Sequence, residues 1–199
     1  MRLFPIFFKN NSVTVSSVMG MKCSKDQPQN VLKRRLSPAM FGLVLLSNTA
    51  FASFDIPLDS IDDTQQQLSE YIGKGKWVVL NIWGTECPPC QEEMPELVKF
   101  HDTHKDGDSM VVSSAIDFPS YLHANKEQVA RFADDYLIDF PVLLSDGSIT
   151  RRMGLGRLDG LPSTYVFDPE GKVVGVQVGA ITRDMLETFI DNQKLETQP

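Results

Sequence analysis

The sequence predicts an α/β protein with three layers and a mixed central sheet. Strand-length apolar runs alternate along the chain with segments in which apolar residues recur at helical spacing, an order typical of α/β folds. The run Lys76–Trp83 is apolar almost throughout, as a strand covered on both faces should be. Two strands joined by a tight turn, and then a helix, close the chain, so the sheet contains antiparallel as well as parallel pairs.

The first half of the fold contains two strands and two helices. Phe54–Leu58 alternates apolar and polar side chains and is predicted to be a short edge strand. Asp62–Ile72 is predicted to be a helix, and Lys76–Trp83 follows it as the first central strand. The next helix is Pro88–His104, in which Pro95 predicts a kink.

The second half continues the alternation. Ser109–Ile116 is predicted to be a buried strand and Asn125–Leu137 a helix with one apolar face. Thr164–Asp168 and Lys172–Val178 are strands, and the four-residue turn between them has Pro second and Gly last, so they pair antiparallel. A last helix, capped by Thr182, packs on the sheet.

The N-terminal residues 1–52 have the composition of a secretory signal peptide. A basic cluster at 33–35 precedes the apolar run Ala39–Leu46, and a small-x-small cleavage signature ends at Ala52. The apolar run is much shorter than the roughly 20 residues of a membrane-spanning helix. We therefore expect cleavage after Ala52, export to the periplasm without a permanent membrane anchor, and one folded domain over 53–199.

The charge of this domain excludes several classes of partner. The predicted signal peptide contains seven of the 19 basic residues and one of the 26 acidic residues, which leaves a net charge of −13 for the remainder. A protein this acidic is poorly suited to nucleic acid or to an anionic membrane surface.

Cys87-Pro88-Pro89-Cys90 is the motif that carries chemistry. It follows the first central strand and begins a helix, and it contains the only cysteines of the predicted domain. Two thiols at this spacing can close a disulfide within one helical turn and reopen it by exchange. A zinc site needs three or four ligands, and no second cysteine pair follows. His101 and His104 are expected to be solvated, so we predict no metal and no cofactor.

Two segments of the chain resemble a known family. The segment Asn81–Leu97 contains the cysteine pair, and Gly160–Asp168 follows far downstream. Together they resemble the TlpA/ResA/DsbE-like thiol-disulfide oxidoreductases, and the likeness covers most of residues 54–195. The resemblance implies a thioredoxin-like three-layer α/β/α fold with a central mixed sheet and an extra helix insertion at Asn125–Ile138.

The resemblance also implies a substrate-facing surface beside the cysteines. In this family a cis proline, here Pro162, lies beside the pair, and the preceding residue, Leu161, offers backbone hydrogen bonds to an extended substrate. Glu86, another substrate-binding candidate, stands where related sequences usually have an aromatic residue, so the resemblance does not predict the choice of partner at this position. Trp83 is most simply a core residue, but its closeness to the pair also places it among the substrate-binding candidates.

The cysteines have distinct expected roles. Cys87, at the exposed end of the helix, is the expected nucleophile, and Cys90, one turn further, is the resolving thiol. The resemblance suggests that Glu93 exchanges protons with these thiols, while a solvated surface carboxylate is the alternative. Asn81 occupies the position of a buried Asp in plain thioredoxin, which leaves Glu93 as the candidate proton acceptor.

The leading function is an exported reductase of disulfides in protein partners. It would act as a monomer and receive electrons from a membrane dithiol donor, in cytochrome c maturation or a similar pathway. A thiol oxidase or isomerase is one alternative. A copper(I) metallochaperone that uses the same two thiolates is another, although no histidine lies in the loop next to Pro162.

A low redox potential is the first prediction. Pro88 and Pro89 lack the N–H groups that would stabilise a Cys87 thiolate, and Glu86 adds a negative charge beside it. Weak thiolate stabilisation disfavours the dithiol form, and a change of about 30 mV corresponds to about 1.4 kcal/mol. Equilibration with glutathione or dithiothreitol buffers measures the potential, and a value as oxidising as about −120 mV would contradict a reductase.

Overall fold

The computed structural model describes residues 54–197. The predicted signal peptide and its cleavage site after Ala52 lie outside these residues. Among the residues described, no helix combines the length and apolar character needed to cross a membrane.

A seven-stranded mixed sheet forms the centre of the protein, with the strand order β2-β1-β5-β4-β3-β6-β7. The strands are β1 (Pro57–Ser60), β2 (Gln65–Gln67), β3 (Trp77–Trp83), β4 (Ser109–Ala115), β5 (Val142–Leu144), β6 (Ser163–Phe167) and β7 (Val173–Val178). The α-helices are α1 (Pro88–His104), α2 (Lys126–Asp135), α3 (Ile149–Arg152) and α4 (Arg183–Thr197). A single turn of 3-10 helix, Leu68–Glu70, follows β2.

The strand β3 is the middle of the sheet. It pairs in parallel with β4 over its whole length and antiparallel with β6, and every one of its residues is buried. Its odd-numbered apolar residues pack with α1, α2 and α4, whereas its even-numbered ones pack with α3, the 3-10 turn and the segment before β1. The three-layer arrangement expected from the sequence is therefore confirmed.

Several predicted elements are confirmed closely. The helix α1 has the predicted bounds and contains Pro95. Asn125 caps α2, because its side-chain Oδ1 accepts a hydrogen bond of 2.9 Å from the Gln128 N–H. The hairpin of β6 and β7 is antiparallel. Thr182 Oγ1 accepts from the Met185 N–H at 3.3 Å and so caps α4.

The predicted helix Asp62–Ile72 is wrong. Gln65–Gln67 forms the outer strand β2, which pairs antiparallel with β1, and only the following 3-10 turn is helical. A helix here would bury too little apolar surface, since Leu68 and Ile72 are the only buried side chains of the segment. As a result β1 is not an edge strand: it lies between β2 and β5.

His101 also differs from the expectation of a solvated side chain. It is buried, and its Nδ1 accepts a hydrogen bond of 3.1 Å from the Val111 N–H of β4. Burial lowers the pKa of His101 and so favours the neutral ring that this bond requires. His104 is only half-buried and contacts Glu187 of α4. These histidines join α1 to the sheet and to α4.

The packing of α1 on the sheet leads to a stability prediction. Leu97 is fully buried in the core between α1 and the sheet, so Leu97→Ala should lower the free energy of unfolding by about 2–5 kcal/mol through lost burial and a cavity. Leu195→Ala removes the same group from an exposed position of α4 and should change it by less than about 0.5 kcal/mol. Urea unfolding of the oxidised proteins measures both; equal losses would contradict this packing.

Candidate active site

The cysteine pair lies where β3 passes into α1. The strand ends at Trp83, the chain turns, and Cys87 takes the N-cap position with an extended backbone before Pro88 begins the helix. Cys87 and Cys90 form a disulfide, with their Cα atoms 5.2 Å apart. Pro88 fits this place because a proline in the first helical turn has no N–H to leave unpaired.

Both cysteines are buried in this oxidised form. Cys87 is 1 % exposed and Cys90 is fully buried, and both belong to the apolar core between α1, α2 and the sheet. The expectation that Cys87 lies exposed at the helix end is therefore wrong for the disulfide state. At the N-cap position the Cys87 side chain points into the core instead of outward.

The start of α1 offers few hydrogen-bond donors to Cys87. Pro88 and Pro89 have no N–H, and the next two N–H groups, of Cys90 and Gln91, donate to the Cys87 carbonyl oxygen at 3.0 and 3.1 Å. All four positions of the first turn are thus without a free N–H for the sulfur. A Cys87 thiolate would keep only the helix dipole from this helix end.

Glu86 is exposed directly before Cys87, and α2 fixes its position. The Gln128 Nε2 donates a hydrogen bond of 3.1 Å to Glu86 Oε1. Sequence analysis did not identify Gln128, because a contact between residues 42 positions apart on a loop and a helix leaves no periodic signal. The inserted helix therefore holds the negative charge that stands beside the cysteine pair.

Glu93 is a buried carboxyl group, with 1 % of its surface exposed. Its Oε1 accepts from Asn81 Nδ2 at 2.8 Å, and its Oε2 accepts from the Ile181 N–H at 2.9 Å. Burial raises the pKa of Glu93 from about 4.5 to about 7, although the two hydrogen bonds lower it. The structure removes the alternative of a solvated surface glutamate. Glu93 lies one helical turn after Cys90 and on the same face of α1.

The peptide bond Leu161–Pro162 is cis, which confirms the expectation from the family resemblance. The register of β3 with β6 pairs Ile82 with Ser163, so Pro162 lies beside the end of β3 from which the cysteine loop leaves. Pro162 is buried and Leu161 is half-buried against the core that contains both cysteines.

A second cis proline lies in a loop that sequence analysis did not single out. The peptide bond Phe118–Pro119 is cis, and a side-chain carbon placed on Gly84 would lie 2.8 Å from the Phe118 Cβ and 3.7 Å from the Leu161 Cδ1. The two loops therefore approach each other across Gly84, three residues before Cys87. Pro119 was the only signal for this loop, and most X-Pro bonds are trans.

Trp83 does not lie on the substrate-facing surface where the sequence had placed it as a candidate. It is fully buried, and its ring packs on Phe132 of α2 with centroids 4.7 Å apart. An even closer stack joins Phe132 to Tyr136, at 4.1 Å. Trp83 is a core residue against which the inserted helix α2 packs. Aromatic pairs of this kind bury large apolar areas at favourable geometry.

A mixed sheet with a cysteine pair at the start of a helix and a cis proline opposite is the arrangement of the thiol-disulfide oxidoreductases with a thioredoxin fold. The sequence comparisons agree: residues 48–176 match the AhpC/TSA family. The chain belongs to the AhpC/TSA family and is a thiol-disulfide oxidoreductase of the ResA and DsbE type.

Two curated relatives illustrate the similarity. The thiol-disulfide oxidoreductase ResA of Halalkalibacterium halodurans is 32 % identical over 142 residues, which cover 70 % of this chain and 73 % of the relative. The thioredoxin-like protein YneN of Bacillus subtilis is 31 % identical over 137 residues, which cover 69 % of this chain and 75 % of the relative.

Solved structures show the same fold. A thiol:disulfide interchange protein of Chlorobium tepidum TLS superposes with a TM-score of 0.59 at 24 % identity, covering 69 % of this chain and 91 % of that one. A DsbF homologue of Corynebacterium diphtheriae gives a TM-score of 0.59 at 25 % identity, covering 69 % of this chain and 83 % of that one.

The buried carboxyl group predicts a particular pH dependence of stability. Between pH 4.5 and 7 the folded protein holds a proton on Glu93 that the unfolded chain releases, so stability falls as the pH rises through this window and is level above it. Glu93→Gln should remove this fall, which amounts to at most about 3.5 kcal/mol. Urea unfolding of oxidised protein at a series of pH values between 4 and 9 measures it.

Glu92→Gln is the matched control for this measurement. Glu92 is the exposed neighbour on the same helix, and its replacement should leave the wild-type fall in place. If the Glu93→Gln protein lost as much stability as the wild type between pH 5 and 8, the Glu93 carboxyl would not be the group responsible.

Proposed function

We propose that this protein is an exported reductase that transfers two electrons from the Cys87/Cys90 dithiol to disulfides of protein partners. The observation that carries the proposal is the lack of a free N–H at the start of α1, which leaves a Cys87 thiolate weakly stabilised. Since thiolate stabilisation favours the dithiol, its absence favours the disulfide and gives the pair a low, reducing potential.

The burial of Cys87 supports the same direction. Transfer of a charged thiolate into an apolar core is unfavourable, so desolvation adds to the missing hydrogen bonds. Glu86 adds the repulsion of a negative charge on the adjacent residue, and its bond to Gln128 keeps that charge near. These three effects all disfavour the thiolate, and therefore favour donation of electrons to partners.

The reaction proceeds in two thiol-disulfide exchanges. The Cys87 thiolate attacks one sulfur of the partner disulfide, which forms a mixed disulfide and releases the other partner sulfur as a thiolate. Cys90 then gives up its proton and attacks the Cys87 sulfur. This closes the Cys87–Cys90 disulfide and releases the second partner sulfur, so two electrons have moved to the partner, whose thiolates take protons from the solvent.

Glu93 is the proposed acceptor of the Cys90 proton. It is the carboxyl group one helical turn from Cys90 on the inner side of α1, and its pKa of about 7 suits a group that takes and returns a proton at neutral pH. The neighbouring side chain on β3, Asn81, does not ionise at neutral pH. Glu93 is therefore the group that would accept the proton.

The partner is proposed to dock across the loops around Cys87. The residue Leu161, before the cis proline, would offer its backbone to an extended segment that contains the target cysteine, and Pro162 would set the height of that segment above the disulfide. Glu86 is exposed beside Cys87 and would meet the partner directly. A negative charge at this place favours partners with a basic residue near their cysteine.

Export, an external electron source and a monomeric state complete the proposal. A secreted thiol-disulfide isomerase of Corynebacterium glutamicum and an exposed lipoprotein thioredoxin of Streptococcus pneumoniae have the same fold, which supports the use of this fold outside the cytoplasm. A reductase in an oxidising compartment needs a donor of electrons, which we propose to be a membrane dithiol. Cytochrome c maturation is a pathway of the required kind.

Trapping of mixed disulfides tests the proposal. In Cys90→Ser the second exchange is impossible, so the mixed disulfide through Cys87 should accumulate at least tenfold over the wild type. Cys87→Ser is the matched control and should trap no partner. Non-reducing electrophoresis followed by mass spectrometry identifies the trapped proteins and the linked cysteine.

Two outcomes would contradict the assignment. Trapping by Cys87→Ser but not by Cys90→Ser would reverse the roles of the two cysteines. If the pair were found mostly as the disulfide in the exported protein in vivo, with partners oxidised rather than reduced by the purified protein, the enzyme would be an oxidase.

A further inference from the structure

Asn81 is a fully buried amide in the middle of β3. Its Nδ2 donates both of its hydrogens: one to Glu93 Oε1 at 2.8 Å and the other to Thr164 Oγ1 of β6 at 3.0 Å. The backbone of Asn81 is fixed on both sides, because β3 pairs it with Ser113 and Thr164. The side-chain amide is therefore the only part of Asn81 that can change its contacts.

The other half of this amide is unsatisfied. The Asn81 Oδ1 is buried and accepts no hydrogen bond. A buried carbonyl without a donor is costly, and such groups in native proteins call for an explanation. Asn81 thus has two donors in use and one strong acceptor idle, next to a carboxyl group that changes its protonation state.

The two hydrogen bonds of Glu93 suit the carboxylate, whereas its burial favours the acid. Both of its oxygens accept from N–H donors, one from Asn81 and one from Ile181. A protonated Glu93 carries an O–H that needs an acceptor, and the two groups bonded to the carboxyl are both donors. The idle Oδ1 of Asn81 is the acceptor that a half-turn of the amide would bring to the same place.

We propose that Asn81 is a positioning residue whose amide turns over when Glu93 takes up or loses its proton. The observed arrangement, in which Nδ2 donates to Glu93 and to Thr164, is the one that we assign to the charged carboxylate. With Glu93 neutral, Oδ1 takes the place of Nδ2 and accepts from the Glu93 O–H and from the Thr164 hydroxyl. The amide makes one bond to Glu93 and one to Thr164 in both states, and the group without a partner changes from Oδ1 to the Nδ2 hydrogens. Because a bond to the carboxyl is kept in each state, Glu93 can serve as acid and as base.

The groups around Glu93 leave this amide as its main partner. The strands β3 and β6 contribute neutral side chains, and the segment before α4 contributes the backbone of Ile181. On α1, Cys90 is the titratable neighbour in the dithiol form. Glu96, one turn later, is engaged with Lys99 and with the Arg183 N–H. Burial and the two hydrogen bonds act on the pKa of Glu93, and no charged side chain does.

Solution NMR of the oxidised full chain tests the inference directly. The Glu93 carboxyl carbon reports protonation, and nuclear Overhauser contacts from the Asn81 Nδ2 hydrogens to the Thr164 side chain report the orientation of the amide. We expect these contacts to weaken at least twofold on acidification, with the same midpoint as the Glu93 carbon. Contacts that keep their intensity through that midpoint would overturn the turnover of the amide.

Asn81→Leu provides a second measurement that a purely structural role would not affect. A hydrogen bond to a carboxylate is stronger than one to a neutral acid, so loss of the amide should raise the Glu93 midpoint by about one pH unit. Ser114→Ala is the matched control, since Ser114 is a buried hydroxyl without a partner on the neighbouring strand β4. A midpoint in Asn81→Leu equal to that of the control would overturn the positioning role.

The inference rests on the proposed role of Glu93 as proton acceptor, but the two fail separately. The NMR titration uses oxidised protein without a partner. Failure of Cys90→Ser to trap a partner would therefore contradict the reductase proposal but would not affect the measured orientation of the Asn81 amide. If Cys90→Ser traps a partner but the Asn81 amide keeps its orientation, the reductase proposal stands and this inference is wrong.

Discussion

The buried carboxyl group of Glu93 is the interaction on which the site depends. One oxygen binds the side chain of Asn81 in the central strand, and the other binds the backbone of Ile181 before α4. A single side chain of α1 therefore ties the helix that carries the cysteines to the sheet and to the last helix. A buried carboxyl group is costly unless its oxygens have partners, and these two contacts supply them while they hold α1 against its neighbours.

The start of α1 offers Cys87 few hydrogen-bond donors, and the proposed low redox potential follows from this lack. Helix N-termini usually supply free N–H groups to an anion, but here two prolines and two bonds to the Cys87 carbonyl use up the first turn. Local sequence thus sets the electrostatics of Cys87, whereas the fold sets its burial and the position of Glu86. The carboxyl group of Glu93, the proposed proton acceptor, lies one helical turn beyond Cys90 and is buried away from water.

Sequence analysis predicted the elements whose pattern is local. The strand β3 and the helix α1 were found because a continuous apolar run and a proline-started helical pattern need no knowledge of neighbours. Gln65–Gln67 was missed because a polar strand is formed by its pairing with β1, not by its own residues. Burial of Glu93 was left open for the same reason: the partner Ile181 lies 88 residues away. The cis bond at Pro119 and the contact of Gln128 depend on tertiary structure in the same way.

Gly84 lies where two loops approach each other, three residues before Cys87. The Phe118 loop and the Leu161 loop come so close across this residue that even a methyl group would collide with one of them. A side chain at position 84 would have to displace Phe118, so the chain between β3 and Cys87 requires glycine at this point. The Phe118 and Leu161 loops are separate in sequence from the first turn of α1, which contains the cysteines. Under the proposed function, substitutions in these loops would change the contacts with a partner without replacing any residue of the helix start that governs thiolate stability.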